Sequence, residues 1–310
     1  HFIGCLNSDP IKVESLWPKN RNHGILVTAR SFCWIAMTSC SPPFGLCRNC
    51  YSIPFGYVAM ARWSAQNIRR HLDIPVAVVT DDVMAQGFDQ VIYANTEGTN
   101  SRHFADYDAT ITWHNESRTS AYDLSPWDHT LLLDADYVVA SDRLNLLFEY
   151  EHDFLAHRWA TDISGLNDFS GLNYFGRNRM PQWWATVISF RRSKHAELIF
   201  GTMDMVRNNW SHYRDLYGIS AKTYRNDHAL SIALNTVNGH IDLEGGRGIP
   251  GIPWPLSSLT PEHELTRVGQ DVYHIRYTDS ENRVRHISVA HRDFHAMGKR
   301  QLGDIIASSR

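Results

Sequence analysis

The sequence predicts an α/β protein, one domain built on a Rossmann-like, mostly parallel sheet with helices on both faces. Three observations predict it. Compact apolar runs recur along the first half, GILVTAR (24–30), IPVAVVTDD (74–82) and TLLLDADYVVA (130–140), with helical segments between them. These runs are continuous rather than alternating, the pattern of strands buried on both faces. Acids stand where the runs end: Asp81, Asp82, Asp134 and Asp136. In open α/β sheets, ligands bind beyond the carboxyl ends of the strands.

Each element follows in order. Residues 1–23 read as a polar, irregular lead-in, and GILVTAR as the first strand. Residues 31–56 carry Cys33, Cys40, Cys47 and Cys50 and the tandem Pro42-Pro43 with no clear period, so they read as an insertion. Residues 57–72 read as a helix, because Val58, Ala61, Ala65, Ile68 and Leu72 recur three or four apart. IPVAVVTDD is the next strand and VIYAN (91–95) another; a helix is expected near 116–123. In the second half ATVISFRRS (185–193) and VYHIRY (272–277) read as strands. Residues 194–210 and 227–237 read as helices. Residues 245–262, with their prolines and glycines, read as turns. No linker or repeat divides the chain. One domain over 24–300 is expected, its halves 24–140 and 141–300 sharing a sheet, followed by a tail at 301–310.

Composition narrows the function. Charged residues are 20% of the 310 and the formal net charge is −3, which argues against strong nonspecific nucleic-acid binding. No run reaches the ~20 apolar residues of a membrane span. The five cysteines end at Cys50 instead of spreading through the chain. That placement suggests a reducing, cytoplasmic setting, in which the sequons at Asn115 and Asn209 go unused. The spacing C-x6-C-x6-C-x2-C is compatible with a structural Zn²⁺ on Cys33, Cys40, Cys47 and Cys50, or with free thiols in an appendage.

The site chemistry starts from Asp134-Ala135-Asp136. On an extended segment the two carboxylates fall on one face. Their repulsion is relieved by a cation, and Mg²⁺ or Mn²⁺ takes such a pair together with substrate phosphates. Solvated acids at a strand end are the bland alternative. Asn115, Arg118 and Tyr122 fall three or four apart and therefore on one helical face. Arg118 then forks onto a phosphate or sugar hydroxyl while Tyr122 stacks on a base. The alternative is an ordinary amphipathic helix with Tyr122 in the core. Asp81 or Asp82 either touches the base or ribose or caps a helix. Asp227 begins a helix, where a carboxylate caps free N–H groups. Trp183 and Trp184 are adjacent on a strand, so at most one faces a ligand.

Four features in order resemble the GT-A glycosyltransferases, nearest to the glycogenin-like and galactosyltransferase-like enzymes. They are the opening strand, helix and IPVAVVTDD; AYDLSPWDHTLLLDADYVV (121–139); RNDHALSIALN (225–235); and HAMGK (295–299). The resemblance implies a GT-A fold and hexosyl transfer from a nucleoside-diphosphate sugar to a hydroxyl acceptor. It implies Mn²⁺ or Mg²⁺ on Asp134, Asp136 and His295, with Lys299 toward the phosphates. Asn115, Arg118, Tyr122 and Asp81 would lie along the donor, and Asp227 toward the transferred sugar or the acceptor. The chain departs from the family pattern in three places: Lys299 follows Gly298 directly, Asn226-Asp227-His228 replaces Asp-Gln-Asp, and residues 31–56 have no counterpart. Two other readings stand beside it. A nucleotidyltransferase favours a glycine-rich basic loop after the first strand, which 31–56 does not supply. A non-catalytic binding module would use 31–56 as a zinc knuckle.

Overall fold

The computed structural model describes residues 23–28, 57–94, 100–104, 109–113, 115–165, 174–240 and 251–309. The lead-in up to residue 22, the insertion at 31–56 and its proposed zinc cysteines lie outside the described residues.

The chain opens with β1 (His23–Thr28), α1 (Tyr57–Leu72), β2 (Val76–Thr80) and β3 (Gln90–Tyr93). A hairpin, β4 (Asn100–Phe104) and β5 (Ala109–Trp113), precedes a 3-10 turn at Asn115–Ser120 and the short α2 (Ala121–Leu124). Then come β6 (His129–Asp134), β7 (Tyr137–Val138), α3 (Leu146–Glu149), β8 (Phe154–His157) and β9 (Ala160–Asp162). The second half holds β10 (Tyr174–Phe175), β11 (Met180–Pro181) and β12 (Trp184–Arg191). After these follow α4 (Lys194–Asn208), α5 (Trp210–Tyr217) and α6 (Asn226–Val237). The chain closes with β13 (Leu256–Leu259), β14 (Glu264–Gly269), β15 (Val272–Thr278), β16 (Val284–Ala290), β17 (Phe294–Ala296) and α7 (Lys299–Ser308).

The main sheet has the order β3-β2-β1-β6-β12-β8. Its first four strands are mutually parallel. β12 is antiparallel to both β6 and β8, so β8 points the same way as β6. The expected mostly parallel, helix-flanked α/β sheet is therefore present, and both halves of the chain build it. Both faces are dry. Ile25, Val27, Leu131, Leu133, Val76 and Val78 face α1 in one core; Leu26, Leu132, Ala77, Val79 and Ile188 face α4 and α6 in the other. The continuous apolar runs follow from this: successive residues feed opposite cores.

A second sheet, β7-β17-β13-β9, abuts the carboxyl edge of the first. β7 continues from β6 through a turn at Ala135–Asp136, so TLLLDADYVVA is two strands in two sheets and not one run. The expected strand VYHIRY is β15, in a separate antiparallel meander with β14 and β16. The expected helix 194–210 divides at Asn209 into α4 and α5. Residues 301–309 are no tail: α7 buries Leu302, Ile305 and Ile306 in the larger core, because these positions recur at helical spacing. Among the described residues no helix is long and apolar enough to cross a membrane.

Two consequences of this packing are measurable. Gly24 lies under the Trp127 indole, so that any Cβ there collides with the ring. Gly24→Ala should cost about 1–3 kcal/mol by overpacking. Gly201, on the exposed face of α4 with nothing near its missing Cβ, should instead gain about 0.5–1 kcal/mol as Ala; urea unfolding midpoints compare the two. His157 is fully buried and hydrogen-bonded through Nδ1 to the Trp254 carbonyl, 3.0 Å away. Burial drops its pKa to about 3. The folded state therefore binds fewer protons than the unfolded one, whose histidine titrates near ~6.5. The stability contributed by neutral His157 is complete above that value and is lost as pH falls toward about 3, at up to about 1.4 kcal/mol per pH unit. His157→Asn, which keeps a donor for Trp254, should flatten the fall in urea midpoint between pH 6 and 4.

Candidate metal and donor site

β6 ends at Asp134, which is in register with Thr28 at the end of β1. The chain then turns at Ala135–Asp136 and enters the second sheet. There Tyr137 pairs with His295 and Val138 with Phe294, and the Asp136 carbonyl accepts the Ala296 N–H at 3.0 Å. This short ladder brings residues some 160 positions apart into one place. The His295 Nε2 lies 3.4 Å from Asp136 Oδ2. One ligand atom each from Asp134, Asp136 and His295 fall within 4.8 Å of one another. The carboxylates converge because the chain turns, not because side chains alternate along an extended segment.

Each acid also holds a fixed cation. Arg118, buried, donates through Nη1 to Asp134 Oδ1 and through Nη2 to the Thr186 carbonyl of β12 at 3.2 Å. Lys299, the first residue of α7, donates through Nζ to Asp136 Oδ2. The two carboxyls are pushed apart in acidity. Burial raises Asp134, and Arg118 offsets this only in part, so its pKa lies above the usual value. Burial acts the same way on Asp136, but Lys299 and His295 outweigh it and hold the carboxyl well below the carboxylate range. Burial would lower Lys299, yet Asp136 overrides it and keeps the ammonium charged. Two acid oxygens and an imidazole nitrogen form a donor set that suits Mn²⁺ or Mg²⁺, and a dication here favours ionisation of both acids.

Asp227 sits in the first turn of α6 but does not cap it. Its Oδ1 accepts the Ala185 N–H of β12 at 3.0 Å, and its Oδ2 accepts from Arg225 Nη2 at 2.7 Å. Burial would raise its pKa; Arg225 and the amide more than reverse this, so Asp227 stays ionised. Ser231, one turn on, anchors the Trp183 N–H at 2.7 Å. Together they fasten the start of β12 to α6 at the same sheet edge as Asp134. Arg225 had no role in the sequence reading; its signal was adjacency, two residues before Asp227.

The other expected residues are placed as follows. Asp81 directly follows β2, two strands from Asp134 at the same edge, or roughly 10 Å at ~4.8 Å per strand. Asp82 is used locally: its Oδ1 accepts the Met84 N–H at 2.8 Å. Asn115 opens the 3-10 turn, and its side chain lies outside the described residues. Tyr122 is not brought to the site. Its ring packs against Phe190 and Phe200, its hydroxyl donates to the Ser193 carbonyl at 3.2 Å, and Arg192 lies over it. The helical face expected for Asn115, Arg118 and Tyr122 fails because Arg118 lies in a 3-10 turn, whose three residues per turn separate positions four apart. Trp183 and Trp184 enter opposite cores, as strand geometry requires.

The chain is similar in structure to the galactosyltransferase LgtC in complex with donor and acceptor sugar analogues (14% identity, TM-score 0.39, 68% of this chain and 70% of that one). It is also similar to the glycosyltransferase GlyE of Streptococcus pneumoniae TIGR4 (14% identity, TM-score 0.36, 70% and 43%). A third likeness is to the bifunctional glycosyltransferase WbbM (12% identity, TM-score 0.36, 73% and 38%). The chain spans less than half the length of the last two. No family model matches it, and no curated protein does.

Mn²⁺ titration checks the donor set. Asp136→Asn and His295→Ala should each weaken Mn²⁺ binding at least about tenfold, measured by calorimetry, whereas His286→Ala, an exposed histidine of β16, should leave it unchanged. Equal effects of His295→Ala and His286→Ala would remove His295 from the set.

Proposed function

We propose that this chain is a metal-dependent glycosyltransferase that moves a hexosyl group from a nucleoside-diphosphate sugar to a hydroxyl acceptor. One observation carries the reading: two carboxylates and an imidazole converge at the carboxyl edge of a parallel sheet, each carboxylate already matched by a fixed cation. The charges of Asp134 and Asp136 cancel those of Arg118 and Lys299. A dication alone or a diphosphate alone unbalances that group, and the two together do not. The site therefore suits a metal–diphosphate ligand better than either part.

The residues divide the work. Asp134, Asp136 and His295 hold the ion, which when bound acts as a Lewis acid toward the leaving diphosphate. Arg118 and Lys299 turn donors toward phosphate oxygens as charge builds on the leaving group. The bond from the anomeric carbon to the diphosphate oxygen breaks, and one to the acceptor oxygen forms as its hydroxyl proton passes to the departing diphosphate. Asp227, held ionised, offers an acceptor for a hydroxyl of the transferred sugar or the acceptor. Asp81 is assigned to the ribose or base, and Asn115, at the start of the turn carrying Arg118, to the donor side.

The test is a panel of nucleotide sugars with Mn²⁺, reading release of nucleoside diphosphate. One donor should be cleaved, with activity lost in Asp136→Asn. Pyrophosphate release from a nucleoside triphosphate and a sugar phosphate would instead identify a nucleotidyltransferase. Arg118 gives a second readout. Its fork spans Asp134 and the Thr186 carbonyl, a geometry Lys cannot copy. Arg118→Lys and Arg118→Ala should both lower donor turnover about 10- to 100-fold. Arg118→Ala should also lower the melting temperature, because it strands a buried carboxylate and a carbonyl. Full turnover in Arg118→Lys would reduce Arg118 to a diffuse charge.

A further inference from the structure

A group of side chains at the same sheet edge has no part in the chemistry above. β8 runs with β6, so Arg158, directly after β8, emerges on the side where Asp134 lies. β12 begins at that edge, which places Trp183 and the β10–β11 hairpin beside Arg158. The Arg158 guanidinium carbon lies 5.5 Å from the Trp183 ring centroid and 5.6 Å from that of Tyr174. Tyr174 carries a second guanidinium, that of Arg179, at 5.1 Å.

Among the described residues neither Arg158 nor Arg179 meets a carboxylate, and the Arg158 Nε is shut off from solvent without a hydrogen-bond partner. Arg225, at the N-cap of α6, is by contrast taken up by Asp227. One arginine stacked on aromatic rings is ordinary packing. Two sharing one tyrosine with no acid between them among the described residues repel each other, and an anion relieves that repulsion. The rings also hold the planar forks in place, so little ordering is lost when both donate to one carboxylate or phosphate. The location sets the ligand's role. Asp81 lies toward β2 and this cluster toward β8, on opposite sides of the metal residues along the strand order.

We propose that Arg158 and Arg179, braced on Tyr174 and Trp183, form an acceptor subsite that selects an anionic sugar, one bearing a carboxylate or a phosphate. The word acceptor rests on the glycosyltransferase reading; the anion subsite rests on the geometry alone.

The full chain is titrated, without metal or donor, with methyl β-glucuronide, glucose 6-phosphate, methyl β-glucoside and inorganic phosphate, by ligand-observed NMR. At least one charged sugar should bind about tenfold or more tightly than methyl glucoside, and which one does so separates carboxylate from phosphate. Arg158→Gln and Arg179→Gln should each erase that preference while Mn²⁺ affinity is kept. Arg179 lies in the exposed hairpin turn, so its variant keeps the test intact if Arg158→Gln does not fold. Equal binding of charged and neutral sugars overturns the proposal, as does a preference that survives both substitutions. Inorganic phosphate binding as well as glucose 6-phosphate, with no charged sugar favoured over it, also overturns it. Anion preference without cleavage of any donor sinks the transferase reading and leaves the subsite; donor cleavage without the preference does the reverse.

Discussion

The repulsion between Asp134 and Asp136 is the constraint around which the site is built. Two partly buried carboxylates this close are costly unless each is compensated. The compensation comes from remote parts of the chain: Arg118 from the turn before β6, His295 from β17 and Lys299 from α7. The β7–β17 ladder makes this possible. It involves only two residue pairs, yet it fixes the His295 ring beside Asp136 and sets where α7 begins. The second sheet thus serves the first as a clamp at the end of β6.

The sequence showed the fold well and the site partly. Apolar runs carry their own burial, so the strands of the main sheet and the helices on its faces could be read locally. The Asp134–Asp136 pair was legible because acids ending an apolar run are locally anomalous. Its geometry was not, since a two-residue turn between two sheets looks the same as an extended run until pairing partners are known. Arg118 was singled out as a donor contact on helical spacing, but what puts it at the site is its reach to Asp134 and Thr186. Tyr122 shared that spacing and went to the core, because Phe190 and Phe200 offered it apolar area. Arg158 and Arg179 were invisible, because an unmatched arginine is recognised only by what surrounds it, and Arg225 carries no signal beyond its place two residues before Asp227.

The antiparallel strand β12 gives the edge its asymmetry. In an all-parallel sheet only strand ends reach the crevice. Here a strand start lies at that edge too, and brings Trp183, Trp184 and Ala185 to it. Ala185 then donates its N–H to Asp227, which ties α6 to the same place. One side of Asp134 is therefore plain strand ends with Asp81, and the other is aromatic and cationic. A ligand lying across the edge meets different chemistry at its two ends.

The fixed cations also bear on what a metal held by this group would do. A structural metal site folds with its ion because its ligands repel one another without it. In this chain Arg118 pairs with Asp134 and Lys299 with Asp136, and Lys299 and His295 hold Asp136 ionised. The charges of the two acids are thus balanced by the protein's own side chains. On the proposed reading, the ion's binding free energy is left for the ligand it arrives with, because an added dication restores neutrality only when an added dianion comes too. A site neutral before binding and neutral again with both partners present favours their joint binding over that of either alone.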